Sequence, residues 1–288
     1  MTDPQRTYFP CDPHHPALAQ HIAQAVAAGL AAQPETRVYA LMDATGLDRH
    51  WARQLWTESQ HDPHRIQPLY QDTPLADLEE CAPFLCTLDR RELPALLSKT
   101  RSLPVLSVIQ SRLDLDALRR HLARFVQVRA PDGASFAARW GFALGVPALV
   151  AALDPPCRAL LLSGVDAWHL VNRSGTLDTL AGSGEAPPTD PVPGMSDNAV
   201  EISEQAFLAL ADAFEADALL VAEARRSPAL VQGRQPSVLH AMASRVLKEM
   251  DRLQLTEAPL RSELLCEALA CASAEAAFAQ LAVRARQG

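Results

Sequence analysis

The sequence predicts an α/β, mixed-sheet N-terminal lobe with a β-hairpin, followed by an all-helical C-terminal lobe. Short apolar runs alternate with helical patterns through Val171, an order typical of an α/β layer. The turn signal Pro131-Asp132-Gly133 lies between two apolar runs and predicts the hairpin. After residue 197 only helical apolar periodicity remains, which suits a small bundle.

The strands are predicted from short runs of apolar, β-branched and aromatic residues. These runs lie at 37–43, 66–70, 84–88, 105–110, 125–128, 136–140 and 167–171. The two runs beside the 131–133 turn pair antiparallel, and this hairpin makes the predicted sheet mixed.

The helices are predicted from apolar residues at three- and four-residue spacing. Asp48 and Asp114 each precede such a segment as N-cap residues, and Ser203 does the same for a long helix,. The predicted helical segments are 16–32, 48–56, 92–99, 114–122, 147–153, 158–162, a helix after 203, 236–253, and one or two helices over 260–283.

Composition divides the chain into three parts. Residues 1–171 form the α/β domain and residues 198–288 form the helical lobe. Residues 172–197 carry Gly182-Ser183-Gly184 and several prolines, which indicates a Pro/Gly-rich linker with little to bury.

Charge and hydropathy restrict the partners. The net charge is −8 over 288 residues, and no segment is a basic patch, so nucleic acid and anionic membranes are not expected partners. No apolar run reaches the ~20 residues of a membrane span. The N-terminus has no export signal, and the six cysteines are scattered. We therefore expect a cytoplasmic protein with reduced thiols.

Motifs for catalysis or cofactors do not stand out. The sequence has no Gly-rich phosphate loop and no Gly-x-Ser-x-Gly elbow,. Cys81 and Cys86, like Cys266 and Cys271, are five residues apart, which does not suit zinc. We expect no cofactor and no metal. Asp43, at the end of a predicted strand, together with a histidine, is the enzymatic alternative.

Three aromatic residues are the candidate partner-binding residues. Trp140 and Phe142 follow the hairpin, and Trp168 lies in the strand nearby. Tryptophan is a frequent interface anchor. Core packing is the alternative role for each of them.

Several short motifs, in this order, resemble the bacterial "domain of unknown function 4123" family over roughly residues 37–171. They are Tyr39-Ala40-Leu41-Met42-Asp43-Ala44, Pro68-Leu69-Tyr70, Ala82-Pro83-Phe84-Leu85, Val128-Arg129-Ala130-Pro131-Asp132-Gly133, Arg139-Trp140 and Ala152-Leu153-Asp154-Pro155. The sequence departs from the family after Trp140. Gly141 replaces a second aromatic, and Phe142-Ala143-Leu144 replaces an Asp-Pro-Arg triplet.

The resemblance implies an effector adaptor, or chaperone, of the type VI secretion system. Such a protein binds the N-terminal region of a secreted toxin and helps load it onto the secretion spike protein, without catalysis. We expect a monomer in a 1:1 complex with its toxin. The alternatives are a small cytoplasmic hydrolase or transferase, and a structural component of the secretion apparatus.

Overall fold

The computed structural model describes residues 9–188, 192–196 and 198–271. The chain divides into two compact units. The α/β unit extends from Pro13 to Ala211, and the helical unit combines the N-terminal residues up to Asp12 with the chain from Asp212 onward. The predicted fold class, α/β followed by all-helical, is confirmed.

A six-stranded sheet forms the centre of the α/β unit. Its strands are β1 (Arg37–Asp43), β2 (Ile66–Pro68), β3 (Pro83–Thr87), β4 (Leu106–Ser111), β7 (Ala167–Val171) and β8 (Leu177–Ala181). Their order in the sheet is β2-β3-β1-β4-β7-β8. Every neighbouring pair is antiparallel, so this sheet is not mixed.

A second, smaller sheet contains the predicted hairpin. Its strands are β5 (Gln127–Arg129), β6 (Ser135–Ala137), β9 (Met195–Ser196) and β10 (Ala199–Glu201), in the order β6-β5-β10-β9. Because β5 and β10 are parallel while the other pairs are antiparallel, this is the mixed sheet. The hairpin turn places Gly133 at φ 85°, a conformation that glycine adopts without strain.

Six helices accompany the sheets in the α/β unit. They are α1 (Leu18–Ala32), α2 (Arg49–His61), α3 (Leu93–Lys99), α4 (Leu115–Ala123), α5 (Val146–Ala152) and α6 (Pro155–Ser163). Two predicted N-caps are confirmed. The Asp48 carboxylate accepts a hydrogen bond from the Trp51 backbone N–H at 2.9 Å, and Asp114 accepts one from that of Ala117 at 2.8 Å.

The central sheet separates two apolar cores because side chains alternate along each strand. On β1, Tyr39 and Leu41 face a core that includes residues of α4, α5, α6 and the second sheet. Ala40 and Met42 face the opposite core, which includes residues of α1, α2 and α3. We call the first side the closed face and the second the groove face.

The helical unit is built from α7 (Glu204–Arg226, from residue 212 on), α8 (Pro236–Arg252) and α9 (Ala258–Ala270). Its core is apolar. At its edge, Arg261 donates two hydrogen bonds to Glu215, at 2.8 and 2.6 Å, and one to Asp251 at 2.6 Å. The predicted helical residues after Cys271 lie outside the described part of the chain. No helix among the described residues is long and apolar enough to cross a bilayer.

The structure divides the chain differently from the predicted boundaries at 171 and 198. Within the predicted linker, β8 pairs along its whole length with β7, and β9 pairs with β10. The Asn172 side-chain oxygen accepts hydrogen bonds from the backbone N–H groups of Ser174 and Thr176, which forms the turn before β8. The boundary between the units lies within α7, at residues 211 and 212.

Candidate binding groove

A depression lies on the groove face of the α/β unit, between α2 and α3. Its volume is about 530 Å³. Its floor consists of alternate residues of three neighbouring strands, Ala40 and Met42 of β1, Ile66 of β2 and Cys86 of β3. Since strand alternation directs all four to one face, the floor is apolar.

The two walls are helices of unequal length. Trp51 and Leu55 of α2 line one wall, and Ala95 and Leu96 of α3 line the other. α2 has 13 residues, whereas α3 has only seven. A short helix with a methyl side chain at its groove-lining position leaves space between the walls. The floor residues themselves are buried, between 0% and 8% exposed, so the accessible surface of the groove comes mainly from its walls and lips.

Two contacts join the walls at the ends of the groove. The Lys99 ammonium lies 5.1 Å from the centre of the Trp51 ring, which connects the end of α3 to the start of α2 through a cation–π contact. Arg65, which follows α2, forms an ion pair with Glu92, which precedes α3. The helices therefore run in opposite directions along the groove.

The lips of the groove carry charge. On the α2 side, the exposed lining residues include Gln54, Glu58 and Asp62, and on the α3 side they include Arg91 and Lys99.

Sequence reasoning missed this site. Its signal is a four-residue spacing, in Gln54-Glu58-Asp62 and in Arg91-Ala95-Lys99. Gln54 and Glu58 share one ridge of α2, and Ala95 and Lys99 share one ridge of α3, while Asp62 is the C-cap of α2 and Arg91 precedes α3.

The Cys86 thiol contributes apolar surface to the floor. Burial raises the pKa of Cys86 far above its usual value, so the thiol stays protonated at neutral pH. A buried neutral cysteine behaves as a small hydrophobic residue. This chemistry suits contact with an apolar side chain.

The three predicted partner-binding residues are buried, and their role as surface anchors is corrected. Trp140 and Trp168 are 0% exposed and Phe142 is 6% exposed. The two indole rings lie 5.9 Å apart, centre to centre. Their N–H groups are satisfied internally, that of Trp140 by the Phe125 carbonyl oxygen at 2.6 Å and that of Trp168 by the Ser107 hydroxyl at 2.9 Å. Trp140 and Trp168 belong to the core of the closed face.

Asp43, the carboxylate of the enzymatic alternative, is occupied by structural contacts. It accepts a hydrogen bond from the Arg139 guanidinium at 2.7 Å and two from Thr45, at 3.0 Å from the backbone N–H and 2.6 Å from the hydroxyl. Burial, together with the nearby Asp43 charge, raises the pKa of Tyr70 to about 12. The arrangement closes the turn after β1.

Two buried histidines are held by other partners. His121 Nε2 donates to the Leu161 carbonyl oxygen at 2.9 Å. His169 Nε2 donates to the Gln110 side-chain oxygen at 2.8 Å, and its Nδ1 accepts from Thr179. Among the described residues no hydrogen bond or ion pair joins a histidine to Asp43. The same residues contain no group of three His, Cys, Asp or Glu side chains placed to hold a metal ion.

The departure at Gly141 has a geometric reason. A Cβ atom at this position would lie 2.8 Å from the Asp43 Cα atom and 2.9 Å from its backbone nitrogen. Contacts this short with backbone atoms are not tolerated. The close approach of the chain after Arg139 to the end of β1 therefore excludes a side chain at this position, including the aromatic that the family resemblance suggested.

The described geometry is that of an α/β domain with a charged, helix-walled groove on one face of its central sheet. Residues 38–159, from β1 into α6, match the protein-family model described as "Domain of unknown function (DUF4123)". The family resemblance predicted from the sequence is therefore confirmed over these residues. Neither the curated proteins nor the solved structures include a match to this chain.

Proposed function

We propose that this chain is a non-enzymatic adaptor of the type VI secretion system. It binds the N-terminal region of a secreted toxin in the cytoplasm and helps load the toxin onto the secretion spike protein. The observation that carries the proposal is the groove between α2 and α3, where charged lips flank an apolar floor.

Physical chemistry supports a binding role for this groove. Its volume of about 530 Å³ lies within the ~300–1,000 Å³ typical of ligand clefts. Because the floor side chains are at most 8% exposed, an occupant gains mainly from the exposed apolar surface of the walls, such as Ala95, at about 25 cal/mol for each Å² removed from water. A toxin segment that is apolar before delivery needs such a surface, and helix-in-groove capture is one recurring way to provide it.

The DUF4123 domain supports the choice of partner, because the resemblance to this family implies a toxin and a spike protein. We expect one adaptor monomer to bind one toxin. With a net charge of −8, the chain is not expected to bind nucleic acid or a membrane stably. No cofactor is part of the proposed activity.

The test is co-expression of the chain with the product of the neighbouring toxin gene, followed by pull-down. Two tryptophan substitutions on α3 form a matched pair. Ala95→Trp introduces a large side chain at a groove-lining position, whereas Ser98→Trp introduces the same side chain at an exposed position that does not line the groove. We expect Ala95→Trp to reduce recovery of the toxin at least tenfold and Ser98→Trp to leave it unchanged.

The toxin should also remain bound after truncation to its N-terminal segment. A folded chain that recovers no toxin would contradict the adaptor proposal and favour the enzymatic or structural alternatives. Equal recovery by the two tryptophan variants would remove the groove from the binding surface, although the adaptor role would stand. Circular dichroism of both variants ensures that folded proteins are compared.

A further inference from the structure

The outer edge of β6 in the second sheet is open. β6 is an end strand and pairs with β5 on one side only. The Ala138 backbone N–H, just after β6, donates to the Val126 carbonyl oxygen, just before β5, at 2.7 Å. Because backbone groups alternate in direction along an antiparallel strand, those of Ser135 and Ala137 point away from β5. Both residues are exposed, and no described strand pairs with them on that side. We call these two residues the open edge.

An apolar row crosses the second sheet and ends at β6. It consists of register neighbours, one from each strand: Met195, Val200, Val128 and Phe136. The exposed fraction rises from 0% at Val200 to 6% at Val128 and 50% at Phe136. The Phe136 ring packs against the Phe207 ring of α7, with 6.2 Å between the ring centres, but it remains half exposed. A further strand beside β6 would extend the row and cover this ring.

The unpaired charge near the open edge is negative. The two arginines of the hairpin, Arg129 and Arg139, each form an ion pair inside the domain. Two exposed carboxylates have no such partner among the described residues. Asp132 lies at the hairpin turn, and Glu204 lies one helical turn before Phe207. A basic segment therefore complements this surface better than an acidic one.

We propose that the open edge binds an extended segment of the toxin, which adds a strand antiparallel to β6. This inference rests on the proposed function and names a second toxin contact, separate from the groove. A large apolar residue of the segment lies opposite Phe136, and the residues on either side of it exchange backbone hydrogen bonds with Ser135 and Ala137. Basic residues of the segment lie near Asp132 and Glu204.

The unpaired backbone selects the conformation of the occupant. A helix uses its own N–H and C=O groups and has none left for Ser135 and Ala137, whereas an extended segment satisfies them. Antiparallel pairing is slightly more stable per residue than parallel pairing, which determines the direction of the added strand.

The charge distinguishes a toxin segment from a second copy of this chain. Two β6 strands paired about a two-fold axis would bring the same acidic residues, Asp132 and Glu204, of both copies to one interface. Each copy also has a net charge of −8, so self-association carries a repulsive cost. A segment with basic residues avoids this cost.

A synthetic peptide and the full chain test the backbone contacts. The probe carries threonines around one central phenylalanine, a lysine at each end and a fluorophore, and fluorescence anisotropy gives its Kd. N-methylation of the residue after phenylalanine removes an N–H group that faces β6, whereas N-methylation of phenylalanine itself removes one that faces away. We expect the first change to weaken binding at least about tenfold and the second to change it less than about twofold. Glutamate in place of both lysines should weaken binding about threefold.

Substitutions in β6 test the same contacts from the side of the protein. Ala137→Pro removes an N–H group of the open edge, and an edge strand tolerates proline at such a position. Its matched control, Ala137→Val, keeps the N–H group. We expect Ala137→Pro to weaken peptide binding at least about tenfold and Ala137→Val to leave it unchanged. Circular dichroism ensures that folded variants are compared.

The apolar contact is tested separately. Phe136→Ser removes the half-exposed ring, and its matched control, Leu78→Ser, removes an apolar side chain of similar exposure, 51%, outside the second sheet. We expect about tenfold weaker peptide binding for Phe136→Ser and no change for Leu78→Ser. Equal effects of these two substitutions, or of the two N-methyl groups, would overturn the inference.

The failure of this inference is distinguishable from failure of the proposed function. If the peptide does not bind while the unchanged chain recovers the toxin, the strand-addition inference is wrong and the adaptor proposal stands. If the peptide and the variants behave as expected while no toxin is recovered, the open edge binds extended segments and the proposed function is wrong. If sedimentation shows a dimer that Ala137→Pro abolishes, the occupant is a second copy of the chain and the inference is wrong.

Discussion

The two faces of the central sheet differ in how completely helices cover them. The closed face carries Trp140 and Trp168 under three helices and the second sheet, with both indole N–H groups hydrogen-bonded inside. On the groove face, the seven-residue α3 leaves a depression of about 530 Å³ beside α2. The same strands thus support a sealed core on one side and, on the other, a buried core beside which α2 and α3 leave an open groove.

Buried aromatic residues are more numerous on the closed face, which has Tyr39, Tyr70, Phe125, Trp140 and Trp168, than on the groove face, which has Trp51 and Phe84. The open side is marked instead by small or flexible apolar residues, Ala40, Met42 and Ala95, between charged lips. A close-packed interior tolerates few voids, so a groove persists only where no side chain is large enough to fill it.

The largest expected effect comes from a substitution on the closed face. Trp140→Ala removes a fully buried ring and should lower the free energy of unfolding by about 3–5 kcal/mol. The matched change on the groove side, Trp56→Ala, removes a half-buried ring of α2 and should cost about 1–2 kcal/mol. Urea denaturation followed by circular dichroism measures both.

Measurement of toxin binding, under the proposed function, tests the difference between the closed face and the groove face more directly. We expect folded Trp140→Ala to bind toxin as the unchanged chain does, because Trp140 supports the closed face. A loss of binding per folded molecule, without loss of stability, would restore Trp140 as an interface anchor.

The second effect concerns the ion pair beside the closed face. Arg139→Met leaves the Asp43 carboxylate, which is almost fully buried, with Thr45 as its remaining hydrogen-bond donor. Loss of a partner from a buried charge costs several kcal/mol, and because the Arg139 side chain is 33% exposed, we expect a smaller loss of about 1–3 kcal/mol. Asp43→Asn with Arg139→Met should recover part of this stability, and thermal unfolding of both variants checks it.

The third effect is the pH dependence of stability. Burial lowers the pKa of His121 beside the closed face and of His169 on β7, and it also lowers that of His14. Below pH 6.5 the unfolded chain binds these protons more readily than the folded chain, so stability falls as the pH decreases. The slope is at most ~1.4 kcal/mol per pH unit for each histidine.

Substitution of His169, on β7, measures how much this residue contributes to the pH dependence of stability. His169→Gln removes one titrating group and should make stability less dependent on pH between 5 and 7. Urea denaturation across this pH range gives the slopes. An unchanged slope for His169→Gln would show that His169 titrates alike in the folded and unfolded chains.

The smallest expected effect is at the end of the groove. Arg65→Met breaks the exposed ion pair with Glu92 and should cost less than about 1 kcal/mol, because solvent already screens both charges. A cost above 2 kcal/mol would show that this contact holds the walls together more strongly than its exposure implies. Thermal unfolding at low and high salt separates the charge contribution from packing.

Local signals predicted much of the fold. β1 and β7 have the predicted bounds, and Asp48 and Asp114 cap helices as predicted, because alternation and capping act within a few residues. β8 was missed. Its residues Leu177–Ala181 are not buried and do not alternate, and the strand exists because β7 offers a partner. Because this pairing depends on the neighbouring strand, the sequence of β8 itself carries only a weak strand signal.

The site was harder to predict because burial depends on the whole fold. Trp140 and Trp168 are far apart in sequence, and nothing local distinguishes a core indole from an exposed one. The groove depends on the short length of α3 and on its position opposite α2. In the sequence, only the regular spacing of charged residues is visible. Glu58 and Asp62 are four residues apart, and Arg91 and Lys99 are eight residues apart with Ala95 midway between them.

The parallel pairing of β5 with β10 has a consequence for protein synthesis. About 70 residues separate these strands, and a ribosome adds roughly 5–20 residues per second. The β5 edge of the β5–β6 hairpin therefore stays unpaired for about 4–14 s, until β10 has been translated,. A nascent chain that stalls before Ala199 exposes this edge to other chains, which makes the interval a period of aggregation risk for the α/β unit.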